Sequence, residues 1–174
     1  MKRKSKALIH FIDNLHHFIT SDPQFRKDTS NKTEVAIQSE IRPLIIKFLE
    51  NYFRAKGIVD FSAKAHKSFY WEGQEGKYGK GRSTTFASRN YPDFIITAPY
   101  LIAIEYKQGP NGSLVKTVIG QSVMHTLSED FDYVYVLFHD ETKDKRIERS
   151  ITNQKESRVM REVWKNFNVM LKFV

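Results

Sequence analysis

Hydrophobic positions along the chain recur at two different spacings, which predict a series of helices and strands. Apolar residues three and four positions apart predict amphipathic helices over residues 5–20 and 33–53, and two further helices over 114–127 and 154–167. Runs rich in apolar, aromatic and β-branched residues predict strands. We place the strands, of which the first is the least regular, at residues 58–71, 94–97, 101–107, 133–138 and 169–174.

The order of these elements predicts the architecture. Two helices, three strands and then alternating helices and strands are typical of an α/β fold with a mixed central β-sheet flanked by helices. No internal repeat or long low-complexity linker interrupts the 174 residues, so we expect a single domain spanning residues 1–174. Its parts are an N-terminal helix over residues 5–20, a core over about 33–140, and a C-terminal helix and strand over about 150–174.

The second predicted helix has a proline, Pro43, in its middle. Proline removes one backbone hydrogen bond and usually kinks a helix. The pattern over residues 33–53 is therefore compatible with one kinked helix or with two abutting helices.

The composition narrows the class of protein. Forty per cent of the residues are hydrophobic, and 13 Phe, 8 Tyr and 2 Trp supply apolar surface for one sizeable core. The absence of cysteine excludes a disulfide framework, a thiolate zinc site and a cysteine nucleophile. No apolar run approaches the ~20 residues that cross a bilayer, and no signal-peptide pattern opens the chain. We therefore expect a soluble, cytoplasmic protein without a membrane partner.

The charge of the chain predicts a polyanionic partner. Lys and Arg number 28 against 20 Asp and Glu, which gives a net charge of +8 and a pI near 9.6. Residues 72–90 contain four of the eight glycines, which is typical of a mobile loop. We expect the cations of this loop to contact nucleic-acid phosphates; they are Lys77, Lys80, Arg82 and Arg89.

One group of residues has the composition of a cation site. Pro92 and Asp93 open one predicted strand, and Glu105 and Lys107 close the next, twelve residues after the aspartate. Alternate residues of a strand share a face, so Glu105 and Lys107 project together, and a tight hairpin brings Asp93 beside them. Mg²⁺ binds through one or two carboxylates together with waters and phosphate oxygens. The alternative interpretation is a plain surface ion pair between Glu105 and Lys107.

Pro92-Asp93, eleven intervening residues and Glu105-Tyr106-Lys107 resemble the signature of the PD-(D/E)xK nuclease superfamily, and the similarity of element order extends over about residues 33–140. The resemblance implies a restriction-endonuclease-like core and a Mg²⁺-dependent hydrolysis of DNA phosphodiester bonds, in which Mn²⁺ can substitute. It implies that Asp93 and Glu105 hold the metal and that Lys107 orients water or stabilises charge on phosphorus. It also implies that Gln121, on the following helix, positions phosphate or the lysine.

The same resemblance implies an acidic residue on the helix that precedes the hairpin, where Glu34 and Glu40 are the candidates. At 100° per residue, Glu34 falls within the apolar arc of the helix and Glu40 falls about 100° from the centre of that arc. We therefore expect Glu34 to point inward. A capping role for Glu34, with Asn31 as the N-cap, is the alternative, and Glu40 stays open because Pro43 can alter the helical phase.

The functional interpretation is an endonuclease of the structure-selective, repair or restriction type. A non-catalytic nucleic-acid-binding module with a degenerate nuclease fold is the alternative. His125 lies four residues after Gln121 on one helix face, and we interpret it as a structural histidine. The apolar terminal helices are candidates for the interface of a homodimer.

Overall fold

The computed structural model of the chain describes residues 5–23, 25, 32–72, 74, 83–85, 88–128 and 131–174. Within these residues, a five-stranded mixed β-sheet is flanked by helices that pack on two hydrophobic cores. The predicted α/β class with a mixed central sheet is therefore confirmed.

Two long helices cover the first face of the sheet. Helix α1 (Lys6–Thr20) is capped by the side chain of Ser5, and α2 (Glu34–Ala55) is capped by the side chain of Thr33. Each cap accepts a backbone N–H of the first turn that has no partner within the helix. Helix α2 continues through Pro43, whose side chain is exposed, so it is one helix and not two.

The described residues contain seven strands, five of them in the main sheet. The strands are β1 (Phe69–Trp71), β2 (Ser83–Thr85), β3 (Ser88–Asn90), β4 (Phe94–Ile96), β5 (Ile102–Gly109), β6 (Tyr133–Asp140) and β7 (Val169–Phe173). The order of the main sheet is β1-β4-β5-β6-β7, in which β1, β4 and β5 are antiparallel neighbours while β5, β6 and β7 run parallel. Strands β2 and β3 pair with each other in a separate two-stranded sheet.

Helical crossovers join the three parallel strands, as parallel pairing requires. Helix α4 (Gly112–Leu127) connects β5 to β6, and α5 (Arg146–Thr152) and α6 (Gln154–Phe167) connect β6 to β7. The four predicted helices and the last four predicted strands are therefore confirmed, with ends that differ by a few residues.

Strand β5 separates the two cores by the alternation of its side chains. Ile102, Ile104 and Tyr106 pack with the residues of α1 and α2, whereas Ala103 packs with residues of α4. Because Glu105 has the parity of Ala103, this alternation directs it toward the layer of α4.

The prediction of β structure over residues 58–71 is wrong for most of its length. Helix α3 (Phe61–Lys67) occupies the middle of this range and packs against α2, with Ala65 fully buried. A helix of seven residues spans only two turns, so its apolar period does not show in the sequence. Helix α5 was not predicted for the same reason, since Ile147 is its one buried residue.

The predicted basic loop contains two short strands, β2 and β3, so the prediction of a loop is wrong for these six residues. Lys77, Lys80 and Arg82 lie outside the described residues. Arg89 belongs to β3, and its side chain lies outside the described part of the chain. Phosphate contact by these four cations stays a prediction.

The apolar stripe of α1 is used within the chain itself. Leu8, Phe11, Ile12 and Leu15 are buried against α2 and the sheet, so this stripe is closed to a second copy. The predicted homodimer stays a prediction that depends on other surfaces. No helix among the described residues is both long and apolar enough to cross a membrane.

Candidate active site

The start of β4 brings Asp93 against the middle of β5. The register pairs Phe94 with Ile104, which places Asp93 next to Glu105. The backbone N–H of Tyr106 donates a hydrogen bond to Asp93 Oδ2 at 2.7 Å. The pairing of β4 with β5 starts only at Phe94, and beyond it the aspartate side chain accepts the backbone N–H of Tyr106. The sequence prediction that a hairpin brings the two acids together describes this arrangement.

The pKa of the Asp93 carboxyl group is far from its ordinary value. Its pKa is raised to about 8, first by burial and then by the negative charge of Glu105; smaller contributions come from Glu34 and Glu72. The hydrogen bond from Tyr106 favours the charged form and opposes this rise only in part. Near neutral pH, Asp93 therefore holds a proton in the absence of a compensating cation.

Lys107 meets the helical acid that the sequence favours. Its Nζ lies 3.0 Å from Glu34 Oε1, and each side chain is about one-third exposed. Thr33 is the N-cap of α2, so the alternative in which Glu34 completes a cap begun by Asn31 is wrong. The pair joins the first turn of α2 to the end of β5 and leaves the lysine ammonium accessible to solvent.

The two charged residues of β5 do not form the plain ion pair that was the alternative interpretation. Lys107 pairs with Glu34 of α2, whereas Glu105 pairs with His125 of α4. Each charged group of the strand therefore has a partner from a different helix, and this requires tertiary contacts on both sides of the sheet end.

Glu40 has a different partner from Glu34. Its Oε1 lies 2.7 Å from Lys32 Nζ, and the backbone oxygen of Lys32 accepts a hydrogen bond from Gln108 Nε2 at 2.8 Å. Gln108 Oε1 in turn accepts from the hydroxyl of Tyr106 at 3.0 Å. Tyr106 is buried on the α2 side of the sheet. The structure thus brings Glu34, and not Glu40, to Lys107.

Helix α4 supplies a histidine where the resemblance implies a glutamine. His125 Nε2 lies 2.8 Å from Glu105 Oε1, so the histidine that we interpret from the sequence as structural contacts an acid of the candidate site. Gln121 is exposed and makes no hydrogen bond or ion pair with another described residue. The spacing of four residues signals that both share one side of α4, but it does not show which of them turns toward the sheet.

Asp93 and Glu105 bring two carboxylates side by side at the start of β4. Among the described residues, no group of three His, Asp or Glu side chains is arranged to hold a metal ion. Two carboxylates are a sufficient protein contribution for Mg²⁺, which keeps several waters. Burial and the negative charge of Glu105 together raise the pKa of Asp93, and a cation between these two groups would offset both effects.

Comparison of the chain with family models, with curated proteins and with solved structures gives no match.

Proposed function

We propose that this protein is a Mg²⁺-dependent deoxyribonuclease, an endonuclease with a restriction-endonuclease-like core of the PD-(D/E)xK type. The observation that carries the proposal is the position of Asp93 beside Glu105 where β4 begins next to β5. Glu34 supports it, because its charge contributes to the raised pKa of Asp93 and its carboxylate binds Lys107. The order of helix α2, hairpin β4-β5, helix α4 and parallel strand β6 also supports it.

Asp93 and Glu105 are the residues that would hold Mg²⁺, and their charge fits that purpose. Two carboxylates that share a desolvated space repel each other until a proton or a cation lies between them. A bound Mg²⁺ ion supplies neutralisation of the phosphodiester charge and a lowered pKa for water. The backbone hydrogen bond to Asp93 and the histidine beside Glu105 hold both acids at fixed positions on the sheet.

Lys107 would supply a positive charge next to Glu34, the helical acid whose charge also reaches Asp93. Glu34 holds the ammonium group at 3.0 Å in the absence of substrate. Because both side chains are partly exposed, the ammonium can donate one of its N–H groups to a phosphate oxygen while Glu34 retains another. We assign Lys107 to stabilising the negative charge that develops on the phosphoryl oxygens, or to orienting the attacking water.

The whole-chain charge supports DNA as the substrate. A net charge of +8 attracts a polyanion and places the acidic site in a basic protein. The carboxylates of the site would by themselves repel phosphate, so a cation between them is needed for the substrate to approach.

The test is cleavage of a DNA panel by the full chain. The panel contains plain duplex, single-stranded, flap and four-way-junction DNA, each incubated with Mg²⁺, with Mn²⁺ and with EDTA. We expect cleavage with either cation and none with EDTA, and the preferred substrate selects among the structure-selective, repair and restriction types. Binding without cleavage under every cation would instead support the non-catalytic nucleic-acid-binding module.

Four variants locate the chemistry. We expect D93N and K107M to lose cleavage by about 10²-fold or more while DNA binding persists, and E34Q to lose more activity than E40Q. Lys116 is an exposed lysine of α4, so K116A controls for the loss of one positive charge and should cut like the wild type. Wild-type cleavage by both D93N and K107M would refute the site.

A further inference from the structure

His125 is a buried histidine, and the one polar contact of its side chain with the described residues is to the candidate site. Its side chain is 2% exposed, on the sheet-facing side of α4 between Val118, Ser122 and the ring of Phe131, which it contacts edge-on at 5.8 Å. Burying an imidazole among such residues is unfavourable unless its nitrogens form hydrogen bonds. A histidine at this position therefore calls for a specific partner.

That partner is the carboxylate of Glu105. An ionised carboxylate only accepts hydrogen bonds, so the ring must donate through Nε2, which lies 2.8 Å from Oε1. This distance is in the range of charge-assisted hydrogen bonds. The bond fixes Oε1 of the Glu105 carboxylate, and the other oxygen, Oε2, is the one that would face a cation.

The second ring nitrogen of His125, Nδ1, indicates that filling space is not the reason for a histidine at this position. His125 Nδ1 is buried and has no hydrogen-bond partner among the described residues, and neither has the buried hydroxyl of Ser122 one turn away. A histidine selected only to fill this space would be replaced by an apolar ring of similar size without loss. The single satisfied nitrogen is the one that contacts Glu105.

We propose that His125 is a positioning residue for the cation ligand Glu105: it donates Nε2–H to Oε1 and thereby orients the carboxylate toward the divalent cation. This inference rests on the proposed function and extends it by a residue of α4. Hydrogen bonds of this kind to a ligating group typically change metal affinity 10–100-fold when they are removed.

Two substitutions separate hydrogen bonding from packing. H125F keeps an aromatic ring beside Phe131 but has no donor, whereas H125Q keeps an N–H donor at nearly the position of Nε2. We measure the Kd of Ca²⁺ and of Mn²⁺ by calorimetry without DNA, with thermal melts in EDTA to show that each variant folds. We expect H125F to weaken binding about 10–100-fold and H125Q to stay within about threefold of wild type.

The control is S122A, which removes a buried hydroxyl from the same side of α4 and should bind both cations like the wild type. If the wild type binds the cations and H125F binds them equally well, the positioning role is refuted while the proposed function stands. Equal losses in H125F and H125Q would also refute it, because the donor would then be irrelevant. A wild type that binds neither cation would overturn both this inference and the proposed function.

A measurement on the wild type covers the case in which H125F does not fold. ¹⁵N chemical shifts of the labelled histidines report which ring nitrogen carries the proton. We expect the Nε2-protonated tautomer for His125 and a change in its shifts when Ca²⁺ is added. The Nδ1-protonated tautomer, or no response to Ca²⁺ in a protein that binds the ion, would contradict the proposal.

Discussion

At the scale of single residues, Asp93 combines a structural and a chemical role. Its carboxylate accepts the Tyr106 N–H that β4 leaves free, and the same carboxylate faces Glu105. The first contact favours the ionised form, whereas burial and the neighbouring acid disfavour it more strongly. Without a cation, the folded protein therefore keeps Asp93 protonated near neutral pH, and such perturbed pKa values are common at functional sites.

A pH-dependent stability follows for Asp93. Its pKa is about 8 in the folded protein and 3.8 in the unfolded chain, so the folded state binds the proton more tightly and loses stability as pH rises from about 4 to 8. Asn keeps an acceptor for Tyr106 without the charge. We expect D93N to be more stable than wild type by about 1–3 kcal/mol in EDTA at pH 8.5 and nearly equal at pH 4.5.

Thermal or urea unfolding at the two pH values measures this difference. Ca²⁺ should raise the stability of the wild type at pH 8.5 and leave D93N unchanged, because the cation then replaces the missing proton. A D93N variant that is less stable than wild type at pH 8.5 would show that the acid does not carry the predicted repulsion.

The sequence predicts the acids of the site better than it predicts their surroundings. The meeting of Asp93 with Glu105 follows from the predicted hairpin, and the inward direction of Glu34 follows from the helical wheel, since both depend on local geometry. Strand alternation puts Glu105 and Lys107 on one face, but their partners come from α4 and α2, which pack on opposite faces of the sheet. His125 and Gln121 share one side of α4, and which of them contacts β5 depends on how the helix rotates as it packs. That rotation is a tertiary property, so sequence spacing alone does not reveal it.

At the scale of elements, α1 is attached to the sheet by a polar contact as well as by its apolar stripe. His16 Nδ1 lies 2.9 Å from the hydroxyl of the fully buried Tyr135 on β6, and Asp13 forms an ion pair with Lys172 of β7 at 2.8 Å. The pKa of His16 is lowered to about 4, first by burial and then by the positive charge of Lys172. Neutral His16 therefore belongs to the folded state.

Acid should weaken this attachment. The unfolded chain takes up a proton at His16 below pH 6.5 that the folded protein refuses until about pH 4, so its contribution to stability is complete above pH 6.5 and is lost as pH falls to 4. Between pH 7 and 4, we expect the free energy of unfolding of H16Q to fall by about 1–2 kcal/mol less than that of the wild type. This value is reduced because His16 is partly exposed. Urea unfolding between pH 4 and 7 measures it.

Asp93 changes stability in the opposite direction over the same range, so the comparison of H16Q with wild type is what isolates His16. The exposed neighbour His17 provides the control, and H17Q should follow the wild-type pH dependence. Identical pH profiles for H16Q and wild type would contradict the prediction.

The elements themselves are predicted unevenly, for a physical reason. Helices α1, α2, α4 and α6 and strands β4 to β7 each repeat their period often enough to be recognised in the sequence. Helices α3 and α5 span seven residues each, and their formation depends on contacts with α2 and β6. Short elements are set by tertiary packing, which local pattern does not contain.

At the scale of the whole molecule, positive charge gathers in a concavity at the end of β6. Gly109 of β5 pairs with Asp140 of β6, and Glu141 N–H donates to Gly109 O at 3.3 Å, so the chain after β6 starts beside the strand that carries the site. The concavity, of about 450 Å³, is lined by Lys143, Asp144, Arg146, Arg149 and Ser150. The pair between Arg149 and Asp144 is 4.0 Å long and largely exposed, so it leaves the guanidinium groups available to an anion.

Salt dependence should show whether this concavity contacts DNA. Each phosphate contact contributes about 0.7–0.9 to the slope of log Kd against log salt concentration. We expect R146A/R149A to lower that slope by about 1.4–1.8 in fluorescence anisotropy with EDTA present. The matched variant R158A/R161A removes two exposed charges from α6 and should lower the slope less, while equal slopes in the two variants would indicate a general charge effect.

The sheet is uneven in length where the acids meet, because β5 continues to Gly109 while β4 starts only at Phe94, opposite Ile104. Pro92, which precedes β4, has no backbone N–H and limits further pairing of β4 along β5. The backbone hydrogen bonding between β4 and β5 therefore stops at this point, and the Tyr106 N–H donates to Oδ2 of the Asp93 carboxylate. If Pro92 is replaced by a residue that has a backbone N–H, β4 can extend its pairing along β5. The Asp93 carboxylate would then be displaced from its position beside Tyr106.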